Sequence, residues 1–89
     1  MLKLRVEIKK IWKTETLQNG FEKRFAVVQT LEQYPQTLKM EFTQNNVNLL
    51  DQFQSGELVY MTFNVKGNRI QKDEKDMFFQ SLNVWKIER

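Results

Sequence analysis

Thr43-Gln44-Asn45-Asn46-Val47-Asn48-Leu49-Leu50-Asp51-Gln52-Phe53-Gln54-Ser55-Gly56 is where the spacing of apolar residues changes, and that change decides the fold. Val47, Leu50 and Phe53, with Leu49 beside them, recur at helical spacing, whereas the flanking segments place apolar residues at every second position. Thr43 or one of the asparagines can cap the start, and Gly56 follows the end. A short α-helix of about three turns, roughly Gln44 to Phe53, is predicted.

Upstream of the helix, Leu2, Leu4, Val6 and Ile8 alternate with Lys3, Arg5, Glu7 and Lys9, the period of a strand with one wet face. Ile11 falls out of that phase, so a bulge near Lys9 or Lys10 is expected; a strand from Leu2 to Thr14 would run to about 40 Å and must bend. Asn19-Gly20 then marks a hairpin, because both residues tolerate positive φ. The second strand is predicted from about Phe21 to Leu31 with Phe25 and Val27 facing inward, and Tyr34-Pro35 breaks the chain into a turn. Leu38, Met40 and Phe42 mark the third strand.

Downstream, Leu58 to Val65 alternates again, Lys66 to Asp76 reads as a charged loop around Gly67-Asn68, and Met77 to Glu88 forms the last strand. Three strands, a helix and two strands in 89 residues predict a single all-β domain over 1–89, a five-stranded OB-fold barrel with one short α-helix between strands three and four. An SH3-like barrel would not normally carry a helix there. Phe25, Phe42, Phe53, Phe63 and Phe79 are the expected aromatic core.

Composition narrows the chemistry. The chain has Cys 0 and His 0, which removes thiolate ligands, disulfides, the commonest metal ligand and the usual general base. No cofactor, no metal and no catalysis are expected; the Asp73, Glu74 and Asp76 cluster carries Lys72 and Lys75 among its acids, which would oppose a cation. Basic and apolar residues alternate from Leu2 onward, unlike a signal peptide or membrane span, so a soluble cytoplasmic protein without membrane contact is expected.

The formal charge of +3 is modest, but its distribution is uneven. Residues 1–30 hold seven Lys and Arg against three acids, residues 31–65 hold Lys39 alone against four acids, and residues 66–89 hold six against four. The basic excess therefore lies at the two ends of the chain.

Further residues carry a family resemblance. Glu32-Gln33-Tyr34-Pro35 followed by Leu38-Lys39-Met40-Glu41-Phe42, then Leu50-Asp51, Ser55-Gly56-Glu57 and Trp85-Lys86-Ile87-Glu88 run in order over nearly the whole chain. In these the chain resembles a family of short bacterial proteins of unknown function that look like single-stranded DNA-binding proteins with an OB fold. The resemblance implies that fold and a relation to single-strand binders. The first hairpin, Thr14 to Gly20, is shorter and poorer in glycine than in related sequences, and Lys66 to Asp76 is more charged.

In an OB barrel the first hairpin and the loop between strands four and five flank a groove that follows a nucleic-acid backbone. That places Arg5, Lys9, Lys13, Lys23, Arg24, Lys66, Arg69 and Lys72 along the groove, with Trp12 and Phe21 as stacking platforms. The expected function is non-catalytic binding of single-stranded nucleic acid, DNA favoured over RNA, with little sequence preference. The alternative is an interaction or assembly module, a homodimer or larger homo-oligomer joined through Tyr60 and Trp85.

Overall fold

A computed structural model describes all residues, Met1–Arg89. Six strands are present: β1 (Leu2–Ile11), β2 (Glu15–Thr16), β3 (Glu22–Thr30), β4 (Thr37–Thr43), β5 (Leu58–Lys72) and β6 (Lys75–Glu88), with one helix, Gln44–Gln52, between β4 and β5. The protein is mostly β, as the alternation of its sequence requires. β1 pairs antiparallel with both β3 and β5, β5 with β6, and β3 with β4, while β6 meets β4 in parallel through Met40 and Leu82. The pairings thus run β1-β5-β6-β4-β3 and return to β1; the two residues of β2 pair antiparallel with the start of β3.

The bend expected in the first strand is present. Ile8 pairs with Val28 and Lys10 with Val27, so Lys9 is the extra residue of a bulge. The chain after the helix closes on that bulge: the Gly56 N–H donates to Ile8 O (2.6 Å), and the Ser55 hydroxyl donates to Lys9 O. Gly56 sits at φ 97, a conformation that favours glycine.

Twelve apolar residues form the core: Val6 and Ile8 from β1, Ala26 and Val28 from β3, Met40 and Phe42 from β4, Val47 and Leu50 from the helix, Val59, Met61 and Phe63 from β5, and Val84 from β6. β1, β3, β4 and β5 contribute alternate residues to one interior, β6 adds Val84, and the helix lays two side chains across its end. On β3 the inward parity is Ala26, Val28 and Thr30, which leaves Phe25 and Val27 half-buried on the outer face, against expectation. Alternation alone could not choose between the two parities, because both carry bulk. The inward set includes the smallest apolar side chain, which suits close packing, and Arg24, which is neutralised where it meets the helix.

The helix stands where the sequence placed it, but it is a 3-10 helix rather than an α-helix. Val47, Leu50 and Phe53 are spaced by three, and three residues per turn stack such positions directly above one another. Asn45, Asn46, Val47 and Asn48 are weak α-formers, no acid occupies the first turn, and Thr43 makes no side-chain capping bond. Two arginines hold it instead. Arg24 donates to Val47 O (3.0 Å) and Asp51 Oδ1 (2.8 Å), and Arg89 donates to Gln52 O (2.8 Å) while lying over the Phe53 ring.

The largest departure is at residues 66–76. No loop lies there: β5 continues to Lys72, β6 starts at Lys75, and the chain reverses at Asp73 and Glu74, both at positive φ (53° and 64°). Gly67 and Asn68 are in-register strand residues, paired with Gln80 and Phe79. The result is a two-stranded arm in which every residue from Asn64 to Gln80 is exposed, Phe79 included at 50 %. The arm explains a radius of gyration of 14.3 Å, where a compact chain of this length would have about 12 Å.

Candidate nucleic-acid interface

Because β3 turns Ala26 and Val28 inward, its outer face carries Lys23, Phe25 and Val27, and antiparallel pairing sets Thr43, Glu41 and Lys39 of β4 opposite them. Cross-strand neighbours on one face lie close enough for side chains to touch. Trp12, just past the end of β1, is fixed there by its N–H donating to Phe25 O (3.0 Å), and its ring meets Phe25 edge-on at 5.9 Å between centroids and 72° between planes. Lysines crowd this pair. Lys39 Nζ lies 4.1 Å from the Phe25 centroid and 5.3 Å from that of Trp12, Lys23 5.6 Å from Phe25, and Lys10 5.8 Å from Trp12. Such contacts hold the cations over aromatic surface; Lys23 is also paired with Glu41 (3.8 Å), while the N–H donors of Lys10 and Lys39 stay free for a ligand.

The face continues into the arm. A cleft of ≈ 390 Å³ separates β3 and β4 from the arm's root, lined by Lys23 and Glu41 on one wall and by Lys66, Asn68, Phe79 and Ser81 on the other. Register sorts the arm's side chains between two faces. Lys66 and Ser81, Asn68 and Phe79, Ile70 and Met77, and Lys72 and Lys75 are opposed pairs that share the cleft-side face, which carries no acid. The other face carries Val65, Arg69, Asp76, Phe78 and Leu82, and there Arg69 and Asp76 form a two-bonded ion pair (3.1 Å each). A segment that is nearly charge-balanced in sequence is thus basic on its cleft side. Asp73 and Glu74 are confined to the turn.

Of the residues singled out from sequence, Trp12, Lys23 and Lys66 lie on this surface, and Lys72 extends it along the arm. Phe21, half-buried, immediately precedes β3 in the chain, and Lys13, exposed, immediately follows Trp12. The others are engaged elsewhere. Arg5 lies over the Tyr60 ring (4.7 Å), Lys9 pairs with Glu7 (3.0 Å), and Arg69 pairs with Asp76 across the arm. Arg24 donates to Trp12 O (2.7 Å) as well as to the helix, with only 16 % of its side chain accessible. Tyr60 faces outward between Lys3 and Arg5, and Trp85, 37 % exposed, is the extra residue of a bulge where Thr62 pairs with Lys86 and Phe63 with Val84.

Lys10, Phe25, Lys39, Glu41, Asn68 and Phe79 of this surface went unrecognised in the sequence. Phe25 and Phe79 carry the signal of core aromatics, and Lys39 stands alone in the acidic middle of the chain. The pattern Thr37, Lys39, Glu41, Thr43 did mark the polar face of β4. Only the pairing with β3 shows that Phe25 borders it.

These features define a small, mostly-β domain with one short helix and an aromatic, lysine-rich face bordered by an arm. Residues 3–88 match the family model described as a domain of unknown function (DUF3127), and the chain belongs to that family. A comparison with curated proteins finds no match. No helix is long and apolar enough to cross a membrane.

Proposed function

We propose that this protein is a five-stranded OB-type barrel that binds single-stranded nucleic acid without catalysis, DNA in preference to RNA, by neutralising phosphates and stacking bases. Support for the barrel comes from the ring of pairings, with β1, β3, β4, β5 and β6 as its strands, β4 parallel to β6, and the helix across one end. The observation that carries the binding reading is the Trp12 and Phe25 pair under Lys10, Lys23 and Lys39, continuous with the basic face of the arm. Flat rings beside free ammonium groups suit bases strung on a phosphate chain, and stacking of this kind tolerates any sequence. A cytoplasmic site of action is part of this proposal.

Titrating labelled oligothymidine by anisotropy tests it. If Lys10, Lys39, Lys66 and Lys72 each meet one phosphate, affinity falls roughly 50-fold between 50 and 200 mM salt. Trp12→Ala weakens binding by about 1–3 kcal/mol through lost stacking. Absence of binding at low salt removes the proposal.

A second reading is a homodimer. The arm's other face exposes Val65 (56 %) and Phe78 (66 %) beside the Arg69 and Asp76 pair, apolar and charge-neutral enough for a second copy to cover. Tyr60 and Trp85 are exposed aromatics outside the arm that are also available for this. Sedimentation of Phe78→Ser against Trp85→Ser separates these surfaces from each other and from the cleft.

A further inference from the structure

Glu41 is the anomaly of the lysine-rich surface. It lines the cleft with only 16 % of its side chain accessible, makes no side-chain hydrogen bond, and its carboxylate has the Lys23 ammonium at 3.8 Å as its ion-pair partner. A phosphate placed beside it would be repelled, so the cleft is poorly suited to the backbone of a nucleic acid. It is suited to a base. Phe79, half exposed, offers an aromatic surface on the opposite wall, Asn68 offers an amide that both donates and accepts, and Lys66 supplies a cation for a flanking phosphate. The volume of ≈ 390 Å³ is at the small end of the range for organic ligands, consistent with one base.

We infer that the cleft between β4 and the arm is a base-binding subsite in which Glu41 selects a nucleobase bearing an amino group. This rests on the single-strand-binding reading and adds a preference to it. An ionised carboxylate only accepts hydrogen bonds. The N4 amine of cytosine donates to it, as do N1–H and the N2 amine of guanine together. Thymine flanks its single N3–H with two carbonyl oxygens, which the carboxylate repels. Stacking on Trp12 and Phe25 stays indifferent to sequence, whereas the cleft reads one position.

The test compares labelled oligothymidine with oligodeoxycytidine of equal length at pH 8 and fixed low salt, for the wild type and for Glu41→Gln. The wild type binds the cytosine strand roughly five- to tenfold more tightly, and Glu41→Gln brings the two within about twofold. Phe79→Ala, on the arm and outside the core, provides a second variant that lowers the same ratio. Equal wild-type affinities, or a ratio that survives Glu41→Gln while both affinities rise together, overturn the inference, the latter because Glu41 then acts as a general charge. Failure of both strands to bind the wild type overturns the single-strand reading itself, a result distinct from the loss of preference.

Discussion

β5 buries Val59, Met61, Thr62 and Phe63, then exposes every residue from Asn64 to its end at Lys72, so one strand passes from the ring of paired strands into the arm. Its first half is held by apolar side chains converging on a common interior. Its second half has only backbone pairing with β6 and cross-strand contacts, each worth about 0.2–1 kcal/mol, and an isolated pair of strands is marginal in water. The arm is therefore expected to open at lower free energy than the body. The cleft lies where they meet, so one wall can be fixed while the other adjusts to a ligand.

Perturbing the body should give the largest effects. Leu50, 1 % exposed, fills the end of the interior from the helix, and Leu50→Ala should cost about 3–5 kcal/mol in urea unfolding, much of the stability of a domain this size. Truncating Phe78 on the arm should cost under about 0.5 kcal/mol, as expected for an exposed side chain. Similar losses at the two sites would mean that body and arm form one cooperative unit.

Arg24 sharpens the same contrast at intermediate size. Its guanidinium bridges Trp12 O, Val47 O and Asp51, tying the helix to the end of β1. Arg24→Met leaves the two carbonyls without that donor and should cost about 1–3 kcal/mol; the exposed Asp51 partner adds little. At temperatures where the variant is fully folded, its salt dependence of oligonucleotide binding should equal that of the wild type. A shallower salt dependence would return Arg24 to the phosphate-contacting set.

How much of this was legible in the sequence follows from where the determining forces lie. The strands around the core, the bulge at Lys9 and the position of the helix were readable, because period and parity breaks are local signals. The parity of β3 was not: Phe25 is bulkier than Ala26 while Val27 and Val28 are equal, and the choice was made by packing at the interior and by Arg24 reaching the helix. The candidate surface inherits that ambiguity. Trp12, Lys23 and Lys66 stood out as basic or aromatic residues near expected loops, while Phe25, Lys39 and the acid-free face of the arm became visible only through register. The arm itself was hidden by its turn chemistry, since Gly67-Asn68 resembles a turn and Asp73-Glu74 does not.

That turn provides the smallest and most local prediction. A two-residue hairpin reversal places both residues at positive φ, which suits the right-handed twist of the flanking strands and favours Asn-Gly. Here the residues are Asp73 at φ 53 and Glu74 at φ 64, and a non-glycine residue in this region is held at a cost of about 1 kcal/mol or slightly more. Glu74→Gly removes most of that strain and should stabilise the closed arm by about 1 kcal/mol, offset in part by the greater freedom of glycine in the open state. Because the arm contributes no side chain to the core, the gain should be confined to it. Amide exchange between Asn64 and Gln80 should slow several-fold while exchange in β1 and β3 stays unchanged. Slower exchange throughout the chain would show that closing the arm stabilises the body, and would make the cleft a junction between coupled parts rather than between independent ones.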